Sequence, residues 1–189
     1  MIEETSEDDV NELFKDKRSG RIAVVAHCIL NQNSRVLGLA ERSGMITEIA
    51  EFFLRKKIGI VQMSCPELTY AGVLRKPQTK DQYSTIMFRS HCRKITKEIV
   101  DQIQDYAKCG IDTEIVIGVD GSPSCGVNET SKGKPCGNMS KHERVKGSGI
   151  LIEQLCFALK ERKMSVPFYG IRYERLSEDL VNIKKLLKD

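Results

Sequence analysis

Four short apolar runs rich in β-branched residues, at 22–26, 58–63, 115–119 and 166–171, recur along the chain with helix-length spacing between them. Runs of this kind suit strands that are buried on both faces. Between them the apolar residues repeat at helical spacing. Ile46, Ile49, Ala50, Phe53 and Leu54 predict a helix over 45–57, with those five on one side. Ile95, Ile99, Ile103 and Tyr106 predict another over 95–108, closed by Gly110 as a C-terminal cap. A third helix is expected over 149–163, and a last one from Ser177, as its N-cap, through Leu187. Strands alternating with helices predict a three-layer, Rossmann-like α/β domain with a central, mostly parallel sheet. Residues 1–20 read as a polar N-terminal arm that Leu13 and Phe14 can dock and Ser19-Gly20 ends, leaving 21–189 as a single domain. The spans 68–89 and 126–147 have weak periodicity, and loops of that length are usually functional or disordered.

Composition narrows the class further. The chain has 189 residues, 40% of them hydrophobic, enough for a core. Its net charge of +4 admits an anionic small molecule without singling out nucleic acid, and no Trp provides a base-stacking platform, so specific nucleic-acid binding is not expected. The longest apolar runs are too short to span a bilayer, and no membrane partner is expected. The beginning of the chain is acidic where a secretory or mitochondrial leader would be basic, which predicts a cytoplasmic protein. In that reducing compartment seven cysteines do not form a disulfide framework. Each is then core filler, metal ligand or nucleophile.

Cys28, Cys65 and Cys125 follow the first, second and third predicted strands. In an open parallel sheet the carboxyl ends of the strands share one edge, and ligands bind there. Three thiols on that edge fit either a catalytic zinc with an open position or a [4Fe–4S] cluster with one iron free. Cys92, Cys109 and Cys156 fall on predicted helices or their ends and read as core or surface residues. Cys136, in the glycine-rich span, is the candidate for a fourth ligand or a resolving thiol. No CxxC pair is present, and the spacing of a dinucleotide fingerprint after the first strand is absent.

Three blocks carry a resemblance to a known family. They are Ala26-His27-Cys28-Ile29-Leu30 with Arg35 and Gly38 behind it, Cys65-Pro66-Glu67, and Ser122-Pro123-Ser124-Cys125-Gly126, followed by a helix entered through Gly147 and Gly149. Over roughly residues 21–172 this order resembles the thiouracil desulfidases, formerly labelled DUF523. The resemblance implies a [4Fe–4S] cluster bound by Cys28, Cys65 and Cys125 with one open iron. It also implies removal of sulfur, as sulfide, from a small thiolated pyrimidine base or nucleotide, with Glu67 and Ser122 at the acid/base positions. The chain departs from the family at Asn31, at Val36-Leu37, at His27 and after Glu67, in loops that would contact substrate. Arg35, Lys132 and Lys134 are candidates to hold a phosphate, Asp120 reads as a base or a cap, and His27 reads as a structural residue. A non-catalytic iron–sulfur or sulfur-carrier module and a zinc protein are the competing readings.

Overall fold

The computed structural model describes residues 16–133 and 142–188. In chain order the elements are β1 (Arg21–Val25), α1 (His27–Leu30), a 3-10 turn (Gln32–Ser34), α2 (Thr47–Arg55), β2 (Gly59–Gln62), α3 (Pro66–Ala71) and α4 (Lys80–Tyr83). There follow α5 (Ile86–Lys108), β3 (Asp112–Val119), β4 (Glu129–Lys132), β5 (Glu143–Lys146), α6 (Ile150–Glu161), β6 (Phe168–Ile171) and α7 (Leu176–Leu186).

The four predicted strands form one parallel sheet in the order β2-β1-β3-β6. Its two central strands have no exposed face, since Ala23, Val24 and Val25 of β1 and Ile115, Val116 and Ile117 of β3 are fully buried. Helices α5 and α6 pack together, while α2 packs with α7. The result is the expected three-layer α/β architecture, with all four sheet strands parallel. In α2, Ile49 and Phe53 face the core, but Leu54 is exposed, one step beyond the apolar stripe.

Helix α5 begins nine residues before the predicted start. Thr85 caps it by accepting a hydrogen bond from the Phe88 amide at 3.1 Å, and Phe88, Cys92, Ile95, Ile99 and Ile103 then lie along its buried side. Arg89, Ser90, His91 and Arg93 sit between these positions and dilute the apolar signal in the sequence. Gly110 closes the helix at φ +70°, as expected. The span 126–147 is not wholly loop, because β4 and β5 pair antiparallel within it.

Ser177 is not the cap of the last helix. The chain enters α7 directly from a 3-10 turn at Tyr173–Arg175, so Ser177 lies inside the first turn. The buried Asp179 holds that entrance instead, accepting from the Arg172 amide at 2.7 Å and the Tyr169 hydroxyl at 2.9 Å. Leu13, Phe14, Lys134 and Cys136 lie outside the described residues. Among the described residues no helix is long and apolar enough to cross a membrane.

Replacing Thr85 by Ala removes the cap of the longest helix while leaving its buried side intact. Urea unfolding should show a loss of roughly 1 kcal/mol, with an unchanged denaturant slope.

Candidate functional site

Each of the first three strands delivers one cysteine to the carboxyl edge of the sheet. Cys28 lies in the single turn of α1 after β1. Cys65 is the N-cap of α3 after β2, where its Sγ accepts from the Leu68 amide at 3.4 Å. Cys125 ends the turn that follows β3. The adjacent central strands β1 and β3 run on to helices of different layers, the arrangement that opens a crevice at a sheet's carboxyl edge.

The Cys125 turn is tightly specified. Ser122 Oγ accepts from the amides of Cys125 at 3.0 Å and Ser124 at 3.3 Å, folding the backbone around itself. Asp120 Oδ1 accepts from the amides of Val127 and Asn128, both at 2.9 Å. Helix α6 starts against this turn through Gly149, where a Cβ would stand 2.4 Å from the Ser124 carbonyl carbon. A Cβ at Gly118 would likewise meet the Cys125 carbonyl oxygen at 2.2 Å, so only glycine permits these approaches.

One cavity of about 270 Å³ is lined by Cys28, Cys65, Cys125, Glu67 and Ser122 together. All five residues singled out in the sequence therefore face the same space. Arg35 lines it as well, whereas Lys132 is exposed on β4 and is not among its lining residues. Asp120 also borders the cavity, but its carboxylate is used as a cap for the 127–128 backbone. His27 also lines the cavity, and its Nδ1 lies 3.2 Å from the Met63 carbonyl. Cys92 is buried within α5, Cys109 is exposed at that helix's end, and Cys156 is half-buried in α6.

Three further polar residues, Ser124, Arg75 and Tyr173, also line the cavity. Ser124, 1% exposed, donates from Oγ to Glu67 Oε1 at 2.6 Å and lies 3.3 Å from Ser122 Oγ. Arg75 turns its Nε toward Glu67 Oε2 at 3.7 Å, while its guanidinium donates to the carbonyls of Gly72 and Ser34. Glu67 is thus held between the Cys125 turn and the loop after α3. Tyr173 accepts from Arg35 Nη1 at 2.6 Å and from Gln32 Nε2 at 3.0 Å, and stands beside Cys28. The Ser124 signal was available in the third sequence block; Arg75 and Tyr173 fall outside every block.

Burial pushes all three thiols up from their ordinary range. For Cys28 the opposing influences are the Arg35 guanidinium and a hydrogen bond from Tyr173. Cys65 is pushed up to about 11, by burial first and then by the Glu67 carboxylate. Cys125 rises well above the usual value through burial and through the charges Cys65 and Cys28 would carry. The same proximity suits a cation that compensates all three thiolates at once. The donor set, three soft sulfurs at the wall of one cavity, fits a cluster in which each thiolate takes a different iron. Among the described residues no group of three or more His, Cys, Asp and Glu converges to hold a single metal ion.

The fold and its crevice define an α/β class in which the carboxyl edge of a parallel sheet carries the site. The backbone is similar to that of a [4Fe–4S]-dependent thiouracil desulfidase, TudS, with a TM-score of 0.51, covering 87% of this chain and 99% of that one at 16% identity. At that identity the likeness speaks for the fold. No family model matches the chain. The uncharacterized protein MJ0003 of Methanocaldococcus jannaschii is 33% identical over 168 residues, which are 89% of this chain and 95% of that protein. The chain belongs to the family of this archaeal protein.

In the metal-free protein at neutral pH, mass-spectrometric mapping of iodoacetamide labelling should find Cys109 modified well before Cys28, Cys65 and Cys125. Thiolate is the reacting form, so labelling of Cys65 should accelerate roughly tenfold per pH unit until its pKa is approached. The raised folded-state value also means that Cys65 favours the folded chain below pH 9 and loses that contribution between 9.0 and about 11.

Proposed function

We propose that this protein is a [4Fe–4S]-dependent desulfidase that converts a thiolated pyrimidine base or nucleotide to its oxo form and releases sulfide. The observation that carries this reading is the single cavity onto which Cys28, Cys65, Cys125, Glu67 and Ser122 all open. The fold it shares with a thiouracil desulfidase supports the reading, as does the order of the three cysteine blocks. Residues 21–189 act as one cluster-binding domain in a reducing cytoplasm, with 1–20 as a polar arm.

Cys28, Cys65 and Cys125 would hold the cluster, which when bound supplies a soft Lewis acid for a thiocarbonyl sulfur at the iron no cysteine occupies. The chain's own residues do the rest. Water replaces sulfur at the ring carbon without any change of oxidation state: a C–O bond forms, the C–S bond breaks, and two protons leave with the sulfide. Glu67 takes the proton of the attacking water at its carboxylate and returns it to the departing sulfur. Ser122, on the cavity wall with its oxygen already accepting two backbone amides, presents its hydroxyl hydrogen as a donor. Arg75 holds the Glu67 carboxylate beside the cysteine that precedes it by two residues. Arg35, paired with Tyr173, is a cationic wall for an anionic portion of the substrate.

After anaerobic reconstitution, wild type should contain about four iron and four sulfide per chain. Cys28→Ala, Cys65→Ala and Cys125→Ala should each lose them, and Cys109→Ala and Cys136→Ala should not. Iron indifferent to the first three substitutions would remove the cluster from this reading. Glu67→Gln should keep the iron and lower sulfide release from thiouracil by about 100-fold or more. Unchanged turnover would take the acid/base role away from Glu67.

A further inference from the structure

We infer that Ser124 is a relay residue, carrying a proton between Ser122 and Glu67, all three of which border the cavity. The inference rests on the desulfidase reading and names a part in it for a residue that lies between the two acid/base positions.

The hydrogen bonds give the chain a direction. Ser122 Oγ accepts from two backbone amides, at 3.0 and 3.3 Å, so its own hydrogen is left to donate. Ser124 Oγ, 3.3 Å away, spends its hydrogen on Glu67 Oε1 at 2.6 Å and so turns a lone pair toward Ser122. A short O–H···O bond to a carboxylate is among the stronger kinds. Ser124 is 1% exposed, so solvent does not compete for it. Its position is fixed from behind, because the Leu151 amide donates to the Ser124 carbonyl at 3.0 Å and Gly149 allows α6 to close on that carbonyl. Ser124 Oγ also lies 3.6 Å from Cys125 Sγ, but the 2.6 Å contact to the Glu67 carboxylate is the shorter and stronger use of its hydrogen.

The transfer balances. Water gives a proton to Ser122 Oγ as the Ser122 proton moves to Ser124 Oγ and the Ser124 proton moves to Glu67. Three O–H bonds break and three form, the two serines are unchanged, and the hydroxide equivalent attacks the ring carbon. The return step runs the same chain backward, and the 3.3 Å amide bond to Ser122 is the one that yields when its oxygen must accept.

The test uses Ser124→Ala and Ser124→Thr in the full chain. In the cofactor-free protein, the Glu67 carboxylate band is located by infrared subtraction of Glu67→Gln, and it should shift in Ser124→Ala and return in Ser124→Thr. In the reconstituted protein with 2-thiouracil and 4-thiouracil as probes, Ser124→Ala should retain iron and sulfide. Its kcat should fall by about 10- to 100-fold, with KM changed by less than about twofold. The solvent-deuterium proton inventory should change from curved, with several protons in flight, to linear. Ser124→Thr should restore both the rate and the curvature. Active wild type with Ser124→Ala at full speed, or with an unchanged infrared band, overturns the relay and leaves the desulfidase reading standing. Wild type that loads its cluster and releases no sulfide from either probe overturns the reading and the relay with it, even where the infrared shift upholds the Ser124–Glu67 bond.

Discussion

The buried carboxylate of Asp120 is the interaction on which the carboxyl edge depends. It directly follows β3, accepts from the successive amides of Val127, Asn128 and Glu129, and packs so closely on β6 that a Cβ at Gly170 would stand 2.1 Å from its Oδ1. Those amides begin the segment leading into the β4–β5 hairpin, while the residues between, 121–126, form the Cys125 turn. A single side chain therefore closes the base of the turn and sets the exit of the hairpin. A buried carboxylate is stable only when its oxygens are satisfied, so turn and hairpin hold Asp120 as much as it holds them.

Around that base the electrostatics are uneven in a useful way. The three thiols are neutral by default because burial and mutual repulsion oppose ionisation. The carboxylate next to them is held by a guanidinium and a hydroxyl. The cavity thus joins groups that need a cation to ionise with one that already has a partner. Ligand thiols and a proton acceptor can then stand within one small space without becoming equivalent.

Most of the sheet was legible in the sequence because its central strands β1 and β3 are buried, and the partly buried edge strands β2 and β6 still read as short, mostly apolar runs at 58–63 and 166–171. The placement of Cys28, Cys65 and Cys125 on one edge followed from topology alone. The first half of α5 did not, since its apolar positions are separated by basic and polar residues, and its start depends on the single hydroxyl of Thr85. The cap of α7 was misread because Ser177 fits a local rule that the tertiary pairing of Asp179 overrides. Within the site, the residues adjacent to a cysteine were visible. Arg75 and Tyr173 were not, because their side chains reach the site from loops distant in sequence, and no local pattern records such a meeting.

Among the described residues the β4–β5 hairpin forms a two-stranded sheet separate from the parallel one. Ser131 and Arg144 from its two strands line the cavity together with residues supplied by the sheet edge. Part of the lining thus comes from the parallel sheet's edge and part from the hairpin, which is joined to that edge through Asp120 and the Thr130–Ser122 hydrogen bond. A substitution at Ser131 or Arg144 therefore alters what the cavity admits without touching a cysteine, whereas one at Thr130 is felt at the Cys125 turn.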